Sequence, residues 1–356
     1  MNHCIRSPFR FAIAFGTLLA VSLSGFANAQ EADLATGKTT RVSGTTHLAN
    51  DTSLPDLPVG ITSFGAALLN DHIYVYGGHN GVAHKYYKDG QNKTLYSLNL
   101  KSPKKWEKVA SEKGLQGLAL VACKGNLYRM GGFEAQNAKG EDQDLVSSNE
   151  FARFNFQTKA WEKLAPMPTP RSSFDAVAVG SHIYVVGGWA MKGKDGKTEW
   201  EKSAIRIDVS KKDSQWEKLP QPPFVRRAVA LGHADGKVFV VGGMQQKGGP
   251  TTAVDYFDIQ SGKWHESKPL PKKGRMEGFG SSCFCVGGKL VVSAYSGNVY
   301  TWNSKTENWD DFGELETSRF FHRLIDIGQN RFAVLGGANM DSGKVFETEV
   351  FELPKK

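Results

Sequence analysis

Four arginines stand at matching distances from a recurring Gly-Gly pair, and their spacing is the first feature of the chain that suggests chemistry. Arg171 and Arg226 each lie sixteen residues before such a pair, while Arg275 and Arg319 lie within two positions of the matching point. A guanidinium presents a planar fork of donors that grips a carboxylate through paired hydrogen bonds. Four of them at equivalent places in a repeat would converge on a ligand bearing negative charge. A second set follows the Gly-Gly column: His79, Asn80, Glu134, Trp189, Gln245, Tyr295 and Asn339. Aromatic rings cover apolar faces while amides bond hydroxyls, so this mixture suits a polar, sugar-like ligand. Metal and nucleophile signatures are missing: no His-x-x-x-His, Cys-x-x-Cys or Gly-x-Ser-x-Gly occurs, and the nine histidines are dispersed. The sequence therefore leads us to expect neither a cofactor nor a metal.

The elements that must position these residues are read from the repeat itself. A strand-forming run ending in Gly-Gly occurs at residues 73–78, 127–132, 183–188, 238–243 and 332–337. The first glycines of the first four copies are 54, 56 and 55 residues apart. A sixth copy at 290–294 keeps the strand and loses the glycines. Downstream of the first five copies in chain order come a variable loop, a second β-rich run and a tryptophan, giving Trp106, Trp161, Trp216, Trp264 and Trp309. Short strands in units of this length, joined by Gly, Asp and Asn turns, predict successive four-stranded blades of a β-propeller.

On its diglycines, the Tyr just before several of them and the tryptophans that follow, the chain resembles the kelch-repeat family across nearly all its length. That resemblance implies an all-β fold, a six-bladed kelch β-propeller with four antiparallel strands per blade. The glycines and tryptophans are then structural, since Gly permits close backbone approach and Trp is a plate between blades. The sixth unit ends without a Trp strand, so the segment at 42–54 is expected to complete the last blade and remove its open edge. The run 54–58, Leu-Pro-Asp-Leu-Pro, supports this reading, for it resembles the segments after Trp161 and Trp216. Peptide-binding kelch propellers use the loops after the diglycines and those leading into the inner strands, which points to the same central mouth here. Long loops after the first three diglycines should raise a wall over half of that mouth.

Residues 1–29 read as a signal peptide: Arg6 and Arg10 open it, an apolar run follows, and Ala27-Asn28-Ala29 offers the cleavage site. Residues 30–41 read as a flexible leader and 42–356 as the propeller. The chain carries a net charge of +8, and loss of the two arginines leaves it mildly basic, with lysines scattered. Nucleic acid and a membrane span are not expected; a periplasmic or secreted monomer is. Cys123, Cys283 and Cys285 remain after processing and read as small buried core residues rather than a disulfide framework. The function expected first is a binding module that takes an acidic glycan or a protein segment at the mouth. The alternative comes from likeness in length, export signal and blade count to the exported N-acetylneuraminate epimerases, mutarotases of an acidic sugar. For such a reaction Glu134 and His79 would supply acid and base, with Arg171 and Arg226 holding the sugar carboxylate.

Overall fold

The structure, a computed structural model, describes residues 54–354. Among the described residues, three small sheets of two or three strands accompany six blade sheets, all antiparallel, which follow one another along the chain. Each opens on an inner strand, namely Gly65–Leu69, Gln116–Cys123, Asp175–Val179, Ala230–Ala234, Ser282–Val286 and Arg323–Gly328. Each of these six contacts the next, and the last contacts the first, so the ring closes. Blades 1 to 5 carry at least four strands, and blade 6 shows three among the described residues. The alternation Ala176-Val-Ala-Val and the β-branched runs such as Val238-Phe-Val-Val fill both faces of sheets packed against neighbours on either side.

The tryptophans act between blades, and the indole N–H shows how. Trp216 donates to Ala165 O at 3.0 Å, Trp264 to Pro220 O at 2.7 Å and Trp309 to Lys268 O at 2.9 Å, each carbonyl lying in the segment that leaves the preceding blade. Trp106 does the same with Pro55 O at 3.0 Å. Pro55 therefore stands to blade 1 as Ala165 stands to blade 3, matching the internal likeness of the Leu-Pro segments. The strand expected at 42–54 lies outside the described residues except for Leu54. Leu54 and Leu57 are buried in a cluster with Ile325 and Leu335 of blade 6, and the Leu57 amide donates to Phe346 O at 3.0 Å. All three described cysteines are unpaired; Cys123 and Cys283 are buried and Cys285 half-buried.

Candidate functional site

The chain enters each inner strand through a residue with left-handed backbone: Ser63, Gly117, Ser173, Ala228, Gly280 and Phe321, with φ between 51° and 61°. Four of the six are not glycine, so the conformation is imposed by the ring rather than by local preference. The ring is stitched through its backbone. Gly117 N donates to Ser63 O, Ser173 N to Gly117 O, Ala228 N to Ser173 O, Phe321 N to Gly280 O and Ser63 N to Phe321 O, at 2.6–3.1 Å. Next to it, Arg323 crosses the axis to Asp175 at 2.8 Å and also donates to Phe64 O at 2.8 Å. A cavity of about 260 Å³ along the axis, lined by Leu120, Val177, Leu231 and Cys285 among others, lies behind this closure. The central channel is thus stoppered at the mouth, and a ligand on this face must sit outside the ring, among the rim residues.

The arginines expected to grip a ligand are, for three of the four, buried inside their blades. Arg171, Arg226 and Arg319 are all but inaccessible, at 0–1% exposure. Arg226 is ion-paired with Asp255 and donates to Ala253 O and Gly242 O. Arg319 is paired with Glu349 and donates to Glu347 O and Gly336 O. Arg171 lies 3.4 Å from Glu201 and donates to Ser203 Oγ at 3.0 Å. Each guanidinium is spent inside its own blade. Arg275 is exposed on the loop entering blade 5, with no ion pair among the described residues. Blade 2 reaches a similar end by another route, for Arg129 on its second strand pairs with Glu150 at 2.5 Å and with Glu112. The sequence did not flag Arg129, which stands two residues before a diglycine.

The physical reason is a one-residue slip. Side chains alternate on extended backbone, so the position after each buried arginine faces the other way. That next position is Ser172 in blade 3, bridged to Trp189, and Arg227 in blade 4, opposite Met244. Arg227 is half-buried, its guanidinium carbon 4.0 Å from the Trp189 ring centre and 5.5 Å from that of Trp200. Its Nε is buried without a hydrogen-bond partner, and no carboxylate pairs with it among the described residues. Burial draws its pKa down to about 10, which leaves it fully charged at neutral pH. Counting fifteen rather than sixteen residues back, and matching the register to the post-diglycine residues, would have found it.

Around Arg227 the long loops of blades 1 to 3 form the expected wall, tied together by their own hydrogen bonds. Lys88 N donates to Asn137 O, Asn137 Nδ2 to Tyr86 O, Ser147 N to Met191 O and Gly193 N to Leu145 O, all at 2.8–3.0 Å. Tyr86 leans on His79 and meets Phe133 edge-on, with ring centres 5.1 and 5.7 Å apart. Burial raises the Tyr86 hydroxyl and the nearby Arg227 charge draws it back in part. Of the other expected residues, Glu134 is half-buried in the Asn126–Ala135 strand and Gln245 is exposed beside Met244. Tyr295 stacks on Phe320 at 5.5 Å, and Asn339 is anchored by Ser318. The structure brings His79, Trp189, Tyr86 and Arg227 to one side of the mouth and sets Tyr295 and Asn339 against blade 6.

Two buried imidazoles give this face a pH signature. Burial, the largest influence, holds His79 down to about 4 and His322 to about 3, so both are neutral at pH 7. Unfolded histidine titrates near 6.5. Below that value the unfolded state holds more protons, so stability from these two groups is whole above pH 6.5 and is lost as pH falls toward 4 and then 3. Denaturant midpoints at pH 7.5 and 4.5 check this, with a clear drop expected at 4.5; equal midpoints would contradict it.

The family description "KLHDC2/KLHL20/DRC7 Kelch-repeats domain" matches residues 31–188, and "Kelch motif" matches residues 170–223 and 226–271. The chain is a kelch-repeat protein. This kelch propeller is 27% identical to "N-acetylneuraminate epimerase" of Pasteurella multocida (strain Pm70), over 86% of this chain and 93% of that protein. It is 26% identical to "Kelch-like protein 35" of Mus musculus, over 78% of this chain but only 44% of that longer protein. The solved "Structure of YjhT" superposes with a TM-score of 0.68 at 18% identity, covering 86% of this chain and 98% of that one, a likeness of fold.

Proposed function

We propose that this kelch propeller is an exported binding module that captures a carboxylate-bearing sugar on the face outside the stoppered channel. The observation that carries the reading is Arg227, a charged, half-buried guanidinium stacked on Trp189 and left without a carboxylate. An aromatic plate holds the guanidinium in place and shields it from water without neutralising it, so a ligand carboxylate meets a fixed, partly desolvated fork. Trp200, Tyr86 and the exposed Gln245 flank it with the ring faces and amide that sugars use.

Titration of the purified protein with N-acetylneuraminate, glucuronate and a neutral hexosamine tests the reading. Arg227→Ala should weaken an acidic sugar by about ten- to a hundredfold, the equivalent of roughly 1.5–3 kcal/mol for one charge-assisted contact, and a neutral sugar little. A folded Arg227→Ala variant with parental affinity for the acidic sugar would remove the arginine from the site.

The match to an N-acetylneuraminate epimerase over nearly the full length of both chains favours a second reading, anomer exchange on the captured sugar. His79 is the base candidate. Donation from its Nε2 to Lys85 O at 3.1 Å leaves Nδ1 unprotonated in the neutral ring. Anomer exchange followed by magnetisation-transfer NMR, with His79→Gln as the variant, separates catalysis from capture.

A further inference from the structure

Arg227 lies on the first of three adjacent strands, Arg226–Arg227, Met244–Gln245 and Gly249–Pro250. Lys247 stands exposed in the turn that joins the second to the third. Beside the third strand runs the loop that enters blade 5. Leu270 N donates to Thr252 O at 2.9 Å and Gly278 O accepts from Gly243 N at 2.7 Å, so both ends of this loop are fixed to blade 4. Between those anchors Lys272, Lys273 and Arg275 are exposed. The acid of the same loop, Glu277, is turned inward, 2% exposed and bonded to Ser296 Oγ at 2.9 Å. Arg227, Lys247, Lys272, Lys273 and Arg275 therefore make a basic face on one side of the mouth, and none of them has an ion pair among the described residues. The wall of blades 1 to 3 is the opposite case, for there Lys192 pairs with Glu199 at 2.7 Å and Lys194 with Asp142 at 2.8 Å.

Neighbouring strands lie about 4.8 Å apart, so the way from Arg227 to the edge of the basic loop is roughly 10 Å, farther than one pyranose reaches. At the inner end of that loop Phe279 holds in blade 5 the rim position that Arg227 holds in blade 4. It is half-buried against Phe321, ring centres 4.9 Å apart, and offers the apolar plate that covers a sugar face. We infer that the basic face of blades 4 and 5 takes the continuing chain of an acidic oligosaccharide, one with a carboxylate on successive residues, whose first carboxylate is held by Arg227. This inference rests on the acidic-sugar reading of Arg227. Unpaired exposed cations draw in a polyanion through a field that salt screens. Once Arg227 holds one residue, the loop meets the next ones as an intramolecular event, which multiplies affinity without tightening the first contact.

The probes are the α2,8-linked tetramer of N-acetylneuraminate and tetragalacturonate, each titrated by calorimetry beside its own monomer at low and high salt. N-acetyl-tetraglutamate amide serves as the sugar-free chain of equal charge. At low salt a tetramer is expected to bind at least tenfold more tightly than its monomer, beyond the statistical gain of four equivalent residues, and the excess should vanish at high salt. The combined variant Lys272→Gln, Lys273→Gln, Arg275→Gln changes exposed positions only; it should fold normally, lose the excess and keep the parental affinity for the monomer. Arg227→Ala should weaken monomer and tetramer alike. Tetramers no tighter than their monomers, or an excess that survives in the combined variant, overturn the inference and leave the Arg227 reading standing. Parental affinity for both in Arg227→Ala strikes that reading, and this inference with it. If the tetraglutamate chain binds as tightly as the better tetramer and is lost in the combined variant, the glycan is overturned and the occupant is an acidic protein segment.

Discussion

Arg226→Ala is expected to cost about 3–5 kcal/mol of stability and to leave the affinity of the folded protein for an acidic sugar unchanged, while its neighbour Arg227→Ala does the reverse. The two residues are adjacent in sequence and face opposite ways. Removing the Arg226 guanidinium strands the Asp255 carboxylate, 6% exposed, in a place where no other cation among the described residues is bonded to it. It also deprives Ala253 O and Gly242 O of their donor. Breaking one half of a buried pair is far more damaging than replacing both, so Arg226→Met combined with Asp255→Leu should recover most of the loss. Denaturant midpoints for the single and paired variants, alongside titration with N-acetylneuraminate, measure both properties on the same preparations. If Arg226→Ala were as stable as the parent and weakened acidic ligands tenfold, the grip would return to the buried arginine set.

What the sequence made legible was whatever repeats locally. The diglycines and tryptophans each recur in five of the six blades because those blades use the same close backbone approach and the same plate against a neighbour, and Trp106, Trp216, Trp264 and Trp309 each make the same indole bond. The arginine column recurs for the same reason, and its regularity is what marks it as architecture. The binding candidate is a departure from the repeat: Arg227 occupies a rim position that is Thr62, Gln116 and Ser172 in the blades before it. Facing is decided by a single residue of register, which spacing alone does not resolve. The wall over blades 1 to 3 could be anticipated from loop length. Its internal bonding could not, because bonds such as Asn137 to Tyr86 O join side chains and backbone far apart in the chain.

The stopper of the channel lay furthest from sequence reasoning, since Arg323 and Asp175 are 148 residues apart and meet only when six blades close. Arg323→Ala should lower the melting temperature by on the order of 10 °C and open the axial cavity to solvent. Arg323 sits on blade 6, donates to Phe64 O before the inner strand of blade 1, and pairs with Asp175 of blade 3. Asp175 in turn accepts from Leu231 N of blade 4 at 2.9 Å, so the bond network spans the ring. Asp175 is 3% exposed and Arg323 partly shielded, which places the loss at about 3–5 kcal/mol when the arginine goes. Arg323→Lys should recover only part of it, because an ammonium reaches one acceptor where the fork reaches several. Stability alone would not separate a stopper from any other buried pair, but the cysteines do. Cys283 and Cys285 line the cavity behind it, the first buried and the second half-buried, and burial raises both thiols above their ordinary pKa. In the folded Arg323→Ala protein, alkylation of Cys285 at mildly alkaline pH should run several times faster than in the parent, with Cys123, which lies away from that lining, unchanged. An unaltered Cys285 rate together with a parental melting temperature would show that the ring of left-handed residues closes the mouth without the ion pair.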